Sequence, residues 1–372
     1  MSRHWNPRLA LVVIGIAALS VGTAPALADN DSVRRIATIQ FAPTDKPLAA
    51  FDIGWVDNPS AIYYLADRSN ARVDVVDALT NELSVLGAGT GTFVGFTGNN
   101  DTSGPDGVVE IHSLHQLWVG DGKSRVHVFD LDSGRLIDTI STAKGSSPNP
   151  NRADELAFDE KDHLVVIAND ADDPPYLTFI STEKDHRVLG HLDFPDATDG
   201  LEQPLWDPAT HMIYQSVPET PTHPGGEIAV IDPLARVVTT VFPVTACHPA
   251  GLAMGPHQNL LLGCASPTKS IIMDARTGDI VANITQVGGA DEVWFNPGDK
   301  HFYLAARRNP GGPVLGVIDA ETNTWLQNVP TGTNAHSVAA ARKNNHIFVP
   351  LTPNAADPFC SRGCIAIYAS GD

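Results

Sequence analysis

The chain has 372 residues, 24 of them basic and 43 acidic, and this formal net charge of −19 argues against nucleic acid or an anionic lipid surface as partner. Hydrophobic residues make up 42%, enough for a full core, and the four cysteines contain no C-x-x-C, which removes support for thioredoxin-type chemistry and covalent haem attachment.

The first predicted element is a leader. Arg3 and Arg8 flank the start of a mostly apolar run from Leu9 to Val21, and Ala26-Leu27-Ala28 has the form of a cleavage site before Asp29. The run is short for a membrane span, so residues 1–28 are expected to be a removed signal peptide. No Arg-Arg pair precedes the run, which points to export of an unfolded chain. Without the leader, 22 basic residues face 43 acidic ones, a surface suited to cations or to solubility. No later segment is long and apolar enough to cross a bilayer, so a periplasmic or secreted protein is expected.

After the leader, short β-branched and aromatic runs alternate with Gly, Pro, Asn and Asp, the pattern of an all-β chain. The stretches "RVHVFDLDSGRLIDTI" (125–140), "EIAVIDPLARVVTTVFPV" (227–244) and "VLGVIDAETNTWLQNVPTG" (314–332) share one plan: a strand ending in Asp, a polar turn, another strand. Each such hairpin leads to an inner strand. Seven of these align: "FDIGWVD" (51–57), "PDGVVEI" (105–111), "ADELAFD" (153–159), "LEQPLWD" (201–207), "PAGLAMG" (249–255), "ADEVWFN" (290–296) and "AHSVAAA" (335–341). Their second residues lie 54, 48, 48, 48, 41 and 45 positions apart, the size of a four-stranded blade. The expected fold is a seven-bladed β-propeller with four antiparallel strands per blade, residues 29–372 forming one domain. The last unit lacks a fourth strand, and "RIATIQF" (35–41) is left over to supply it. Of the three pairings that four cysteines allow, the two local ones are expected: Cys247 with Cys264 across a hairpin, and Cys360 with Cys364 around "SRG".

"VIDAETNTWLQNVPTGTNAHSVAA" (317–340) resembles the YVTN repeat, with its V-I-D-x-x-T-N-T turn, V-x-x-G outer strand and small-residue-and-His lead into the next blade. The tetrapeptide itself is absent; "HFYLAARRN" and "HIFVPLTPN" stand in its place. The resemblance implies a seven-bladed propeller, in families that include lactonase-like enzymes, lyases and non-catalytic surface or periplasmic proteins.

The inner strands begin at one mouth of the propeller channel, and their second residues are Asp52, Asp106, Asp154, Glu202, Ala250, Asp291 and His336, with His248 two residues before Ala250. Like charges that converge need an offset, and a cation supplies one. Asp52, Asp106, Asp154, Glu202 and Asp291 are therefore candidate ligands for calcium, magnesium or manganese. The alternative is that these carboxylates cap turn N–H groups or bind channel water. Glu155, Glu292 and Gln203, one residue further on, are read as blade-to-blade hydrogen-bonding groups. His336 and His248 are the candidate general bases; the other histidines read as structural or solvent-facing. Loops on the same face offer Asn99, Asn100, Asp101, Arg152, His223, Arg307 and Arg308 for ligand contacts. "NDADD" (169–173) lacks the Gly and closing Glu of a calcium loop, and "GAGTGT" (87–92) is not a dinucleotide fingerprint. G-x-S-x-G, H-E-x-x-H and the P-loop are absent. The leading expectation is a divalent-metal-dependent hydrolase of lactones or esters, or a lyase, acting on a small molecule in the channel. The second is a non-catalytic binding or protein-interaction propeller; electron transfer is disfavoured by the missing haem motif.

Overall fold

The computed structural model describes residues 32–145, 150–266 and 268–371, so the expected leader lies outside the described residues. Among the described residues twenty-eight strands, numbered β1 to β28 in chain order, form seven antiparallel four-stranded sheets, the blades of a propeller. The innermost strands are β2 (Gly54–Asp57), β6 (Val108–Ile111), β10 (Leu156–Asp159), β14 (Pro204–Asp207), β18 (Pro249–Met254), β22 (Val293–Asn296) and β26 (Ala339–Ala341).

The recurrent Asp has a local cause. Its carboxylate accepts from the N–H groups of the turn that follows: Asp77 from Leu79 at 2.8 Å, Asp232 from Leu234 at 2.9 Å, Asp319 from Glu321 at 2.9 Å. Such Asx turns fix the chain reversal between third and fourth strands. Asp57, Asp159 and Asp207 do the same between first and second strands, bonding Ser60, Asp162 and Thr210.

The ring closes as the sequence suggests. β1 (Val33–Gln40) pairs antiparallel with β28 (Cys364–Ser370), and the last blade has the order β1-β28-β27-β26, where β27 is His346–Leu351. Between blades the facing side chains form buried hydrophobic clusters; Tyr63 of the first blade stacks on Phe348 of the last, ring centroids 4.7 Å apart. Both disulfides form, Cys247–Cys264 and Cys360–Cys364. Among the described residues no helix is long and apolar enough to cross a membrane.

Two glycines, one just before an inner strand and one within it, are required by contact. A Cβ on Gly107 would lie 2.4 Å from the Asp154 carbonyl oxygen, and one on Gly251 would lie 2.5 Å from that of Asp291. Backbone cannot yield as a flexible side chain does. Gly107→Ala is expected to destabilise the protein by about 1–3 kcal/mol, measured by chemical denaturation, and to separate blades two and three.

Candidate functional site at the acidic channel mouth

Five of the seven second residues make the same backbone bond. The N–H groups of Asp52, Asp106, Asp154, Glu202 and Asp291 donate to the carbonyls of Ala66, Gly120, Ala168, Ser216 and Ala305, at 2.8–3.2 Å, near the end of their own blade's second strand. One geometry repeated around the axis carries the acids to one place. There a polar cavity of about 210 Å³ is lined by Asp52, Asp154, Glu202, Asp291 and His336 from the ring, and by Asn100, Arg152 and Arg307 from the loops.

Three arginines stand among the carboxylates, and one of them, Arg68, was not anticipated. Arg68 bridges Asp52 and Asp106 through Nη2, with Nε 3.0 Å from Asp106 Oδ1. Arg152 Nη2 reaches Asp154 at 2.6 Å and Asp170 at 2.7 Å, and its Nη1 lies 3.5 Å from Asp52. Arg307 Nη2 pairs with Asp291 at 2.7 Å. The signal for these partners was a second repeat register. Arg68, Asp170 and Arg307 each lie two residues beyond the carbonyl that receives the ring residue's N–H.

Three arginines do not neutralise the eight carboxylates Asp52, Asp106, Asp154, Glu155, Asp170, Glu202, Asp291 and Glu292. Burial works against ionisation of Asp52, but Arg68, the contact from His336 and Arg152 outweigh it and hold its carboxyl below the usual range. Asp106 and Asp154 are pushed well up by burial, against the pull of Arg68 and Arg152 respectively. Glu202 is pushed up to about 8 by burial, then by Asp291 and Asp170. Glu155 and Glu292 rise well above the carboxylate range, again through burial first, then through Glu292 and Asp291 respectively.

Glu155 and Glu292 depart from the blade-to-blade role expected of them. Gln203 does play it, its Oε1 accepting from Leu252 N–H of the next blade at 2.6 Å, and Ser337 accepts from Gly54 N–H at 2.7 Å. The residue that Glu155 would cap by the same rule is Pro204, which has no N–H. Glu155 Oε2 and Glu292 Oε1 are left buried without a hydrogen-bond partner, as are Asp106 Oδ2 and Asp154 Oδ1.

His336 is oriented from two sides. Its Nδ1 lies 2.8 Å from the Asn334 carbonyl, and its ring stacks on Phe51 at 4.6 Å. Nδ1–H donates to that carbonyl, and Nε2 lies 3.5 Å from Asp52 Oδ1.

Six candidates fall outside the cavity. Asp106 is fully buried behind Arg68. His248 is displaced because blade five leads in differently, with a register shift between Pro249 and Leu252. His223 is engaged by Glu227. The Asp101 side chain is exposed, and only its carbonyl serves the site, accepting from Arg152 N–H at 2.7 Å. Asn99 caps the short turn before it, and Arg308 is exposed.

Among the described residues, two groups place ligand atoms within 4.8 Å of one another: Asp52, Asp106 and Asp154 here, and Asp57, Glu110 and His112 elsewhere. The first is already threaded by Arg68 and Arg152, so those acids are the ones least in need of a metal. The carboxylates without a cationic partner are Glu155, Glu202 and Glu292.

No family model matches the sequence, and no curated protein matches it. Among solved structures 1606 chains match, so the likeness is to a widely shared architecture. One is a chain of the "Crystal Structure of Mitotic Checkpoint Complex", 14% identical, with a TM-score of 0.67 over 96% of this chain and 99% of that one. At that identity the likeness speaks for the propeller fold alone.

Proposed function

We propose that the acidic mouth takes a divalent cation, calcium, magnesium or manganese, and that with it the protein hydrolyses a lactone or ester, or acts as a lyase, on a small molecule held in the channel. The observation that carries this reading is the surplus of carboxylates over arginines, with buried carboxylate oxygens of Glu155 and Glu292 left without any partner. Glu202 and Asp291 would hold the cation, with Glu155 and Glu292 beneath them; this moves the centre of the site away from Asp52, Asp106 and Asp154. A divalent cation there supplies polarisation of a carbonyl or carboxylate oxygen. His336 moves the proton through Nε2, its other nitrogen being fixed by the Asn334 carbonyl. Arg152 and Arg307 at the rim orient anionic oxygens of the substrate, and Asn100 offers an amide. Residues 1–28 are read as the export signal, and the two disulfides support an oxidising compartment. The resemblance of segment 317–340 to the YVTN repeat supports this reading, since lactonase-like enzymes are among the propellers that carry it.

Elemental analysis of purified protein, followed by a panel of lactones and esters assayed with each cation and with chelator, tests this reading. Bound metal and a turnover that His336→Asn lowers by about 100-fold or more are expected. A protein that binds no cation would remove the metal-dependent enzyme. A second reading, a non-catalytic ligand-binding propeller, is favoured by the way all three arginines are already engaged by carboxylates, which gives a rigid rim; cation binding without turnover is its signature.

A further inference from the structure

The channel has a second mouth at the far ends of the inner strands. A cavity of about 350 Å³ opens there, lined by side chains of Trp55, Phe158, Trp206, Met254, Trp294 and Phe295 from five blades. All six are only partly buried: each packs against an inter-blade cluster and keeps part of its surface open to the cavity. The indoles of Trp55 and Trp294 meet at 81° with centroids 5.2 Å apart, forming two walls of a corner. They belong to blades one and six and meet because the intervening blade seven offers only Ala339 and Ala340 at these positions.

The lining contains no Lys, Arg or His, and its charged members are Glu110 and Glu160. Glu110 is 9% exposed; its Oε2 accepts from the Tyr64 hydroxyl at 2.6 Å and its Oε1 lies 3.4 Å from His112 Nδ1. Glu160 is exposed. Aromatic faces carry negative potential and attract cations, most strongly when water is excluded. An anion would meet carboxylates and ring faces with no cationic side chain to offset them. Of the Asp57, Glu110 and His112 group only Glu110 lines the cavity, so a bare metal ion inside it would find too few oxygens to replace its water.

We infer that this second mouth binds a small organic cation with an apolar body, such as a quaternary or aryl ammonium compound. The apolar body fills the cavity, the cationic head sits in the Trp55–Trp294 corner, and the two glutamates set the sign of charge. The inference is independent of the reading of the acidic mouth.

The test is a titration of the full mature chain followed by tryptophan fluorescence, since Trp55, Trp206 and Trp294 all line the cavity. Benzyltrimethylammonium is compared with benzenesulfonate, and choline with its neutral isostere 3,3-dimethylbutan-1-ol. Saturable quenching by benzyltrimethylammonium and little by the sulfonate are expected. Choline should bind roughly fivefold or more tightly than the alcohol. Trp294→Ala should weaken the ammonium by about tenfold, and Glu110→Gln by several-fold. Equal binding of choline and the alcohol would reduce the site to an apolar cavity and overturn the inference. So would equal binding of the sulfonate, or no saturable change with either ammonium. Should Trp294→Ala fail to fold, the two matched pairs on the unaltered chain still decide.

Discussion

Arg68→Ala is expected to destabilise the protein by about 3–5 kcal/mol at neutral pH, although Arg68 lies in no secondary-structure core cluster. The guanidinium is 3% exposed and is shared by Asp52 and Asp106, themselves 8% and 0% exposed. Removing it leaves two carboxylates side by side with one remaining cation, Arg152, in contact with only the first. Breaking a buried pair costs more than the pair contributes, because the orphaned charge stays desolvated. Asp106→Asn in the Arg68→Ala background should return a substantial part of the loss, and Asp106→Asn alone should cost less than Arg68→Ala. Urea denaturation of the four proteins closes the cycle. A cost under about 1 kcal/mol for Arg68→Ala would mean that water, and not the arginine, solvates the two acids.

The second large effect is on pH dependence, and its sign is unusual. In chelator, stability should fall as pH rises from about 4.5 to about 8. Glu202 has its folded pKa raised from 4.5 to about 8, and Asp67, fully buried, has its own raised from 3.8 to about 6 by burial. In each interval the folded state retains a proton that the unfolded state has lost, so raising pH favours unfolding. The stability is fully present below the unfolded values and is lost through the folded ones. At 1.36 kcal/mol per unit the ceilings are about 5 kcal/mol for Glu202 and about 3 kcal/mol for Asp67. Glu202 keeps some solvent contact, so the observed slope should be shallower. Below the ordinary Asp value of 3.8 the slope reverses, because Asp52 is held ionised by Arg68 and its stabilisation is lost on protonation. Melting temperatures from pH 3 to 9 should therefore peak on the acid side. Calcium or manganese should flatten the fall between pH 5 and 8 if the cation engages Glu202, since a ligand of the ionised site stabilises the native state. Curves that superimpose with every cation and with chelator would detach Glu202 from metal binding while leaving the slope itself intact.

The blades were legible because a strand ending in Asp, a polar turn and a further strand recur at a nearly constant interval, and local turn chemistry enforces that pattern. The convergence of Asp52, Asp154, Glu202, Asp291 and His336 was legible for the same reason: equal positions in a repeat occupy equal positions around an axis. What the repeat concealed were partners in other registers. Arg68, like Asp170 and Arg307, follows the second strand, outside the aligned inner segments, so the acids looked bare when Asp52, Asp106, Asp154 and Asp291 were already paired with arginines. Glu155 and Gln203 occupy the same repeat position, yet their roles differ because the next blade offers Leu252 N–H in one case and Pro204 in the other. His248 misled because blade five leads in with an irregular register. Trp55 and Trp294 alternate with alanines along the ring and look like ordinary core; only their angle and their shared opening set them apart.

The pairing of Val33 with Ser370 and of Gln40 with Cys364 ties together segments separated by almost the whole chain. Such a contact cannot form until β28 has been synthesised, long after β1. Until then the final blade lacks the strand between β1 and β27, and the hydrophobic faces it covers stay wet. The ring is thus completed in a late step dominated by the entropy of bringing distant segments together.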